Sequence, residues 1–113
     1  MRAPEERLQD ILDAIANIER YASRGREAFE RDELIQVWIV YHLQIIGEAV
    51  ARLGHDFHSA HPEVPWAQIV AMRNILVHEY FGMDLDEVWQ TVERALPGFK
   101  RAIEGLMQDA GGE

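Results

Sequence analysis

Four residues with chemical potential fall within one short stretch: Arg73, Asn74, His78 and Tyr80. Histidine holds or releases a proton near pH 7, and a guanidinium offers paired donors to an oxyanion. Arg73 interrupts an apolar stripe between Val70 and Leu76, where a charge is costly unless something pairs with it. Its bland reading is a snorkelling arginine or a structural ion pair, with Glu48 on the preceding apolar segment as a partner. Asn74 and His78, four apart, share a helical face, whereas Arg73 and His78 are about 140° apart around a helix of 3.6 residues per turn. The pair converges if the helix loosens near His78, or if two copies of the segment face each other across a symmetric cleft. Tyr80 returns to within about 20° of Arg73 if the helix persists.

The elements that must position these residues are helical. Pro4, Glu5 and Glu6 open a first helix, whose Leu8, Ile11, Leu12, Ile15, Ile18 and Ala22 recur at three- and four-residue steps as far as Gly25. Asp32 suits the cap of a second helix, Leu34 to Leu53, ended by Gly54. That helix has no clean polar face, so it must be covered on more than one side, by its own bundle or by another subunit. His55 to Pro65 reads as a connection. Trp66, Ile69, Val70, Arg73, Leu76 and Val77 form a third stripe, closed by Gly82. Asp84-Leu85-Asp86-Glu87 has the side chains of a capping box and opens a fourth helix, interrupted at Pro97-Gly98. Phe99, Ile103, Leu106 and Met107 give a short fifth. No strand-like alternation, repeat or low-complexity run is present. The pattern predicts an all-α antiparallel bundle of four to five helices, one domain over 1–113, with 109–113 a frayed tail.

Composition narrows the function. With 113 residues, 48% apolar and 27% charged, the chain is ordinary globular protein. The absence of cysteine removes thiolate metal sites and cysteine nucleophiles. A net charge of -9 disfavours diffuse phosphate attraction, and Lys100 is the only lysine among 11 basic residues. Phosphate is therefore expected at a few placed arginines, with Arg52 and Arg94 as rim contacts. The N-terminal residues carry no targeting pattern, which predicts a cytoplasmic protein. Leu34 to Leu53 approaches bilayer-spanning length but contains Gln36, His42, Gln44, Glu48 and Arg52, and a charge in hydrocarbon costs about 2.5 to 3.5 kcal/mol. A buried helix and no membrane contact are the expectation.

Arg73-Asn74-Ile75-Leu76-Val77-His78-Glu79-Tyr80 resembles the Arg-x-x-x-x-His-x-Tyr motif of HepT-like toxins, in the HEPN superfamily of helical ribonucleases. Ile46-Gly47-Glu48-Ala49, Pro65-Trp66, Met72-Arg73-Asn74 and His78-Glu79-Tyr80-Phe81 fit that family's pattern at matching spacing. The resemblance implies a metal-independent endoribonuclease, the toxin of a two-gene system, needing no cofactor. It implies catalytic Arg73 and His78, with Asn74 and Glu48 in support. Its implied antitoxin is a minimal nucleotidyltransferase of the MntA type, which silences the toxin by transferring AMP to Tyr80. One His78 per subunit makes a homodimer attractive, since two histidines around one phosphate can divide the roles of acid and base.

Rival readings attach to other residues. His55, His58 and His61, with Asp56 and Glu63 nearby, invite a metal, but loop histidines are more often solvated, and no metal site is expected. His42 reads as a satisfied core histidine. Trp38, Trp66 and Trp89 lie on helical stripes, which favours packing over base stacking. The competing function is a non-catalytic helical dimer that binds a nucleotidyltransferase, because function belongs to sites rather than folds.

Overall fold

A computed structural model describes residues 3–71 and 84–111, and every regular element among them is helical. Helix α1, Pro4–Ala22, begins with proline in its first turn and acidic Glu5 and Glu6 at the positive end of its dipole. It buries Leu8, Ile11, Ala14, Ile15 and Ile18 on one stripe. Its end falls short of Gly25: the Ser23 hydroxyl donates to the Arg20 carbonyl at 3.0 Å, and the Ser23 amide donates to Glu19. Gly25, at φ 96°, instead turns the chain into a short helix that the sequence pattern does not announce. This is α2, Arg26–Arg31, and its one buried side chain is Phe29.

Asp32 joins α2 to α3, Glu33–Leu53, and its carboxylate accepts from the Leu34 amide at 2.9 Å, the cap expected of it. One turn later the Gln36 side-chain amide donates to the carbonyls of Phe29 and Glu30, at 3.0 and 3.2 Å, giving two terminal acceptors of α2 a partner. Helix α3 ends at Gly54, φ 89°, as the glycine implies. The next segment corrects the expectation of a bare connection, because His55–Ala60 forms α4. It buries no residue, so no apolar period betrays it. Residues 66–71 are helical and are called α5.

Asp84 caps α6, Leu85–Gln90, by accepting from the amides of Asp86 and Glu87. Pro97 does not break the chain that follows. A π-helical turn, Thr91–Ala95, runs directly into α7, Leu96–Gly111, and the Leu96 amide bonds the Thr91 carbonyl five residues back. A proline lacks the amide that the carbonyl four residues earlier would use, and a wider turn just before it accommodates that loss. The helix continues through Gly111, so most of the segment read as a frayed tail is helical.

Helices α1, α3 and α7 form the antiparallel core. Trp38 on α3 donates its indole N–H to the Asn17 carbonyl of α1 at 2.8 Å and meets Tyr21 edge-on at 5.4 Å. Lys100 of α7 pairs with Glu19 of α1 at 3.0 Å. Ile11, Ile18, Phe29, Ile39, Leu43, Ile46, Val50 and Ile103 are sealed from solvent between them. By length and composition α3 would cross a membrane, yet Ile35, Ile39, Leu43, Ile46 and Val50 are spent on this core. His42 is buried as expected, its Nδ1 donating to the Trp38 carbonyl at 2.7 Å. Asp32→Ala should lower stability by about 1 kcal/mol, while Asp32→Asn should retain most of it. Urea unfolding of the two variants beside the parent chain measures this.

Candidate functional site

Of the side chains assigned chemistry, Glu48 is described: it is exposed on α3, two residues before Val50. Arg73, Asn74, His78 and Tyr80 lie outside the described residues, on the stretch 72–83 between α5 and α6. Each end of that stretch is fastened to the bundle by a different mechanism.

The start is fastened through aromatic rings. Val64, Trp66 and Ile69 are buried. The Trp66 indole N–H donates to the His61 carbonyl at 2.9 Å, and its ring stacks on His58 with centroids 4.9 Å apart and planes within 11°. Phe57 and Phe99 meet the same ring edge-on, at 5.8 and 6.3 Å. His58 also reaches back to α3, its Nε2 donating to the Val50 carbonyl at 2.7 Å. That carbonyl belongs to the last turn of α3, where acceptors have no partner within the helix. One imidazole thus caps the end of the helix that bears Glu48 and supports the start of the helix that leads to Arg73.

The far end is fastened by a cap, a charge and a ring. Asp84 satisfies the first amides of α6, Arg26 of α2 forms an ion pair with Asp86, and Trp89 lies 5.3 Å from Phe29. Trp66 and Trp89 are therefore core residues, and Trp38 is half-buried against α1, as their stripe positions imply.

The three histidines after α3 are committed separately rather than to one ion. His55 Nε2 lies 3.4 Å from the Ser59 hydroxyl, and His61 packs on Phe57 and lies 3.8 Å from the Glu63 carboxylate. Among the described residues, no three histidine, aspartate or glutamate side chains are grouped as a metal site. Its place in a connection suggests a solvated His58; the structure makes it a half-buried joint instead. The sequence signal for that role is slight, since Val50, His58 and Trp66 follow one another at eight-residue steps without a helical period connecting them.

The basic residues sort by pairing. Arg26, Arg31 and Lys100 are held by Glu30 and Asp86, Glu27, and Glu19, respectively. Arg24 lies over the Tyr21 ring at 4.7 Å. Arg52 and Arg94 are exposed and, like Arg7, Arg20 and Arg101, carry no ion pair to a described residue.

The family model described as ribonuclease HepT-like matches residues 11–106. The chain is 38% identical over 106 residues to a protein of Thermococcus cleftensis named "Probable ribonuclease HepT", covering 93% of this chain and 96% of that one. A provisionally named RNase of Caldanaerobacter subterraneus subsp. tengcongensis is 35% identical, covering 96% of this chain and 97% of its own length. A second, from Methanocaldococcus jannaschii, is 34% identical, covering 86% and 90%. No solved structure matches the chain significantly.

The Trp66 joint is open to test without reference to catalysis. Trp66→Ala should cost about 3 to 5 kcal/mol of stability, the range for deleting a buried aromatic side chain. Trp66→Phe, which keeps most of the apolar ring and loses the indole N–H, should cost about 1 kcal/mol. Denaturant midpoints decide, and equal losses for the two variants would mean that packing on His58 contributes little.

Proposed function

Because the chain belongs to the HepT-like ribonuclease family, we propose that it is a metal-independent endoribonuclease and the toxin of a toxin–antitoxin pair, acting as one domain in the cytoplasm. The observation that carries this reading is the completeness of the motif: Arg73, Asn74, His78 and Tyr80 all stand inside the matched span 11–106, together with Glu48. The fastened ends of the 72–83 stretch support it, since a catalytic segment needs rigid neighbours to hold reacting groups in register.

Strand cleavage without a metal requires that the ribose 2′-hydroxyl attack phosphorus, that its proton leave, and that the departing 5′-oxygen receive one. His78 performs the proton transfers, a contribution of about 10² to 10⁴ in rate. Arg73 donates to the non-bridging oxygens as negative charge gathers on the pentacovalent phosphorus. Two copies around one cleft supply two histidines, one to accept and one to donate, and the products end in 2′,3′-cyclic phosphate and 5′-hydroxyl. Asn74 and Glu48 orient this machinery. Arg52 and Arg94, both exposed, are suited to phosphates at the rim.

Silencing follows from the position of Tyr80 in the motif. An MntA-type nucleotidyltransferase moves AMP from ATP to the tyrosine oxygen and releases pyrophosphate. The product is a phosphodiester anion tethered seven residues after Arg73, which occupies the phosphate site as an RNA mimic would.

Purified protein incubated with total RNA should yield cyclic-phosphate ends whether or not EDTA is present. His78→Ala should cut the rate by about 10² to 10⁴ with unchanged folding. Intact RNA with the wild-type protein would leave the non-catalytic binding module as the better account. Tyr80→Phe should remain an active nuclease and escape the antitoxin. If that variant were still silenced, with AMP found on another residue by mass spectrometry, the assignment of Tyr80 would fall.

A further inference from the structure

A cleft of 520 Å³ opens between α4 and the start of α5. Its floor is the stacked pair His58 and Trp66, and its walls include the exposed rings of Pro62 and Pro65. Three exposed polar side chains stand around it: His55, whose Nε2 lies 3.4 Å from the Ser59 hydroxyl, Ser59 itself, and Gln68. A concave site with mostly apolar walls and a few polar groups is the common form of a small-ligand pocket. Charge sets this cleft apart. The chain has 20 acidic residues and a net charge of -9, yet no Asp or Glu lines the cleft. Three other cavities among the described residues carry Glu19 and Glu93, Glu5 and Asp109, and Asp32. Glu63, between the two prolines in sequence, is turned to His61 at 3.8 Å. A polyanion is thus repelled less here than at those cavities.

We infer that the cleft is a nucleobase subsite for the RNA strand, with Gln68 as the residue that selects adenine. The inference rests on the nuclease reading and adds to it a place for a base beside the cut. Single-stranded RNA is read by stacking unpaired bases on aromatic side chains, histidine among them, and by hydrogen bonds to the base edges. The His55 imidazole and the proline rings supply the surface for a purine face. A glutamine amide donates and accepts side by side, which matches N7 and N6 of adenine. Guanine shows two acceptors at that edge and calls for Arg or Lys, and neither lines the cleft. Ser59 adds a hydroxyl that donates or accepts as the base requires. Gln68 precedes Arg73 by five residues, so in any conformation their Cα atoms are no more than about 18 Å apart, a separation that a few nucleotides of single strand span. His58, in the floor, is also bonded to the Val50 carbonyl of the helix that bears Glu48. A base seated in the cleft therefore refers to the same frame as the motif-bearing stretch.

Binding can be read without cleavage by using fluorescein-labelled hexanucleotides of 2′-O-methyl RNA, which lack the attacking hydroxyl. In fluorescence anisotropy the wild-type protein should bind the adenine hexamer about tenfold more tightly than the uracil or cytosine hexamer. Gln68→Ala should abolish that preference, and because the position is exposed its denaturant midpoint should match wild type. His55→Ala should weaken the adenine hexamer by about fivefold or more, the worth of one stacked base. Equal affinity for the three hexamers overturns the inference, and so does an adenine preference that survives Gln68→Ala. On natural RNA, wild-type cuts should lie at a fixed offset from adenine, and Gln68→Ala should scatter them. The two readings fail separately. Gln68-dependent adenine binding with natural RNA left intact removes only the nuclease, whereas His78-dependent cleavage without a base preference in binding removes only this inference.

Discussion

The constraint on which the rest depends is the composition of α3, a 21-residue helix with too many apolar positions to be covered by one neighbour. Its inner side is closed by α1, to which it is keyed by Trp38 on Asn17, and its N-terminal turn is tied to α2 through Gln36. Burial there is nearly complete at Ile39, Leu43, Ile46 and Val50. What remains is the outer stripe of Leu34, Val37 and Tyr41, which the described chain does not cover. A small domain buries a limited share of its surface, so a helix this apolar keeps part of its hydrophobic area exposed among the described residues. The requirement that gives the fold its centre also gives it an open face.

The same helix sets the frame of the site. Glu48 projects from its final turns, and the Val50 carbonyl two residues on is held by His58. Because that imidazole stacks on Trp66, the end of α3 and the start of α5 are joined through one side chain. At the other end, Arg26–Asp86 and Phe29–Trp89 tie the start of α6 to α2, which Gln36 ties to α3. Both ends of the motif-bearing stretch thus refer back to one helix. Placed reacting groups need such a common reference, since a misplacement of about 1 Å can cost a hundredfold in rate.

Legibility in the sequence followed the length of each signal. The stripes of α1 and α3 span several turns, and the caps at Asp32, Gly54 and Asp84 have one dominant local solution, so these features emerge from residue types alone. Helices α2 and α4 are six residues each, with one buried side chain and none, and no period can be read from so little. Pro97 suggested a break because proline removes a helical hydrogen bond, but a π-turn ahead of it absorbs that loss without ending the helix. At the site, motif residues were recognisable by type and spacing. The His58 joint was not, since it depends on a carbonyl eight residues before the histidine and a ring eight residues after it.

Charge gives the last link between fold and function. The chain carries -9 overall, yet its cations are not uniformly neutralised. Arg26, Arg31 and Lys100 are used internally, at pairs that are largely exposed and individually of small worth to stability, about 0 to 1 kcal/mol. Arg52 and Arg94 are left without such partners. An acidic surface with few free guanidinium groups offers little diffuse attraction to polyanions. That distribution suits an enzyme that must act on RNA strands without being held along their length, because non-specific affinity grows with each phosphate neutralised whereas catalysis needs charge at one phosphorus. The acidity is therefore compatible with turnover on RNA, which asks for positive charge at the scissile phosphate rather than along the strand.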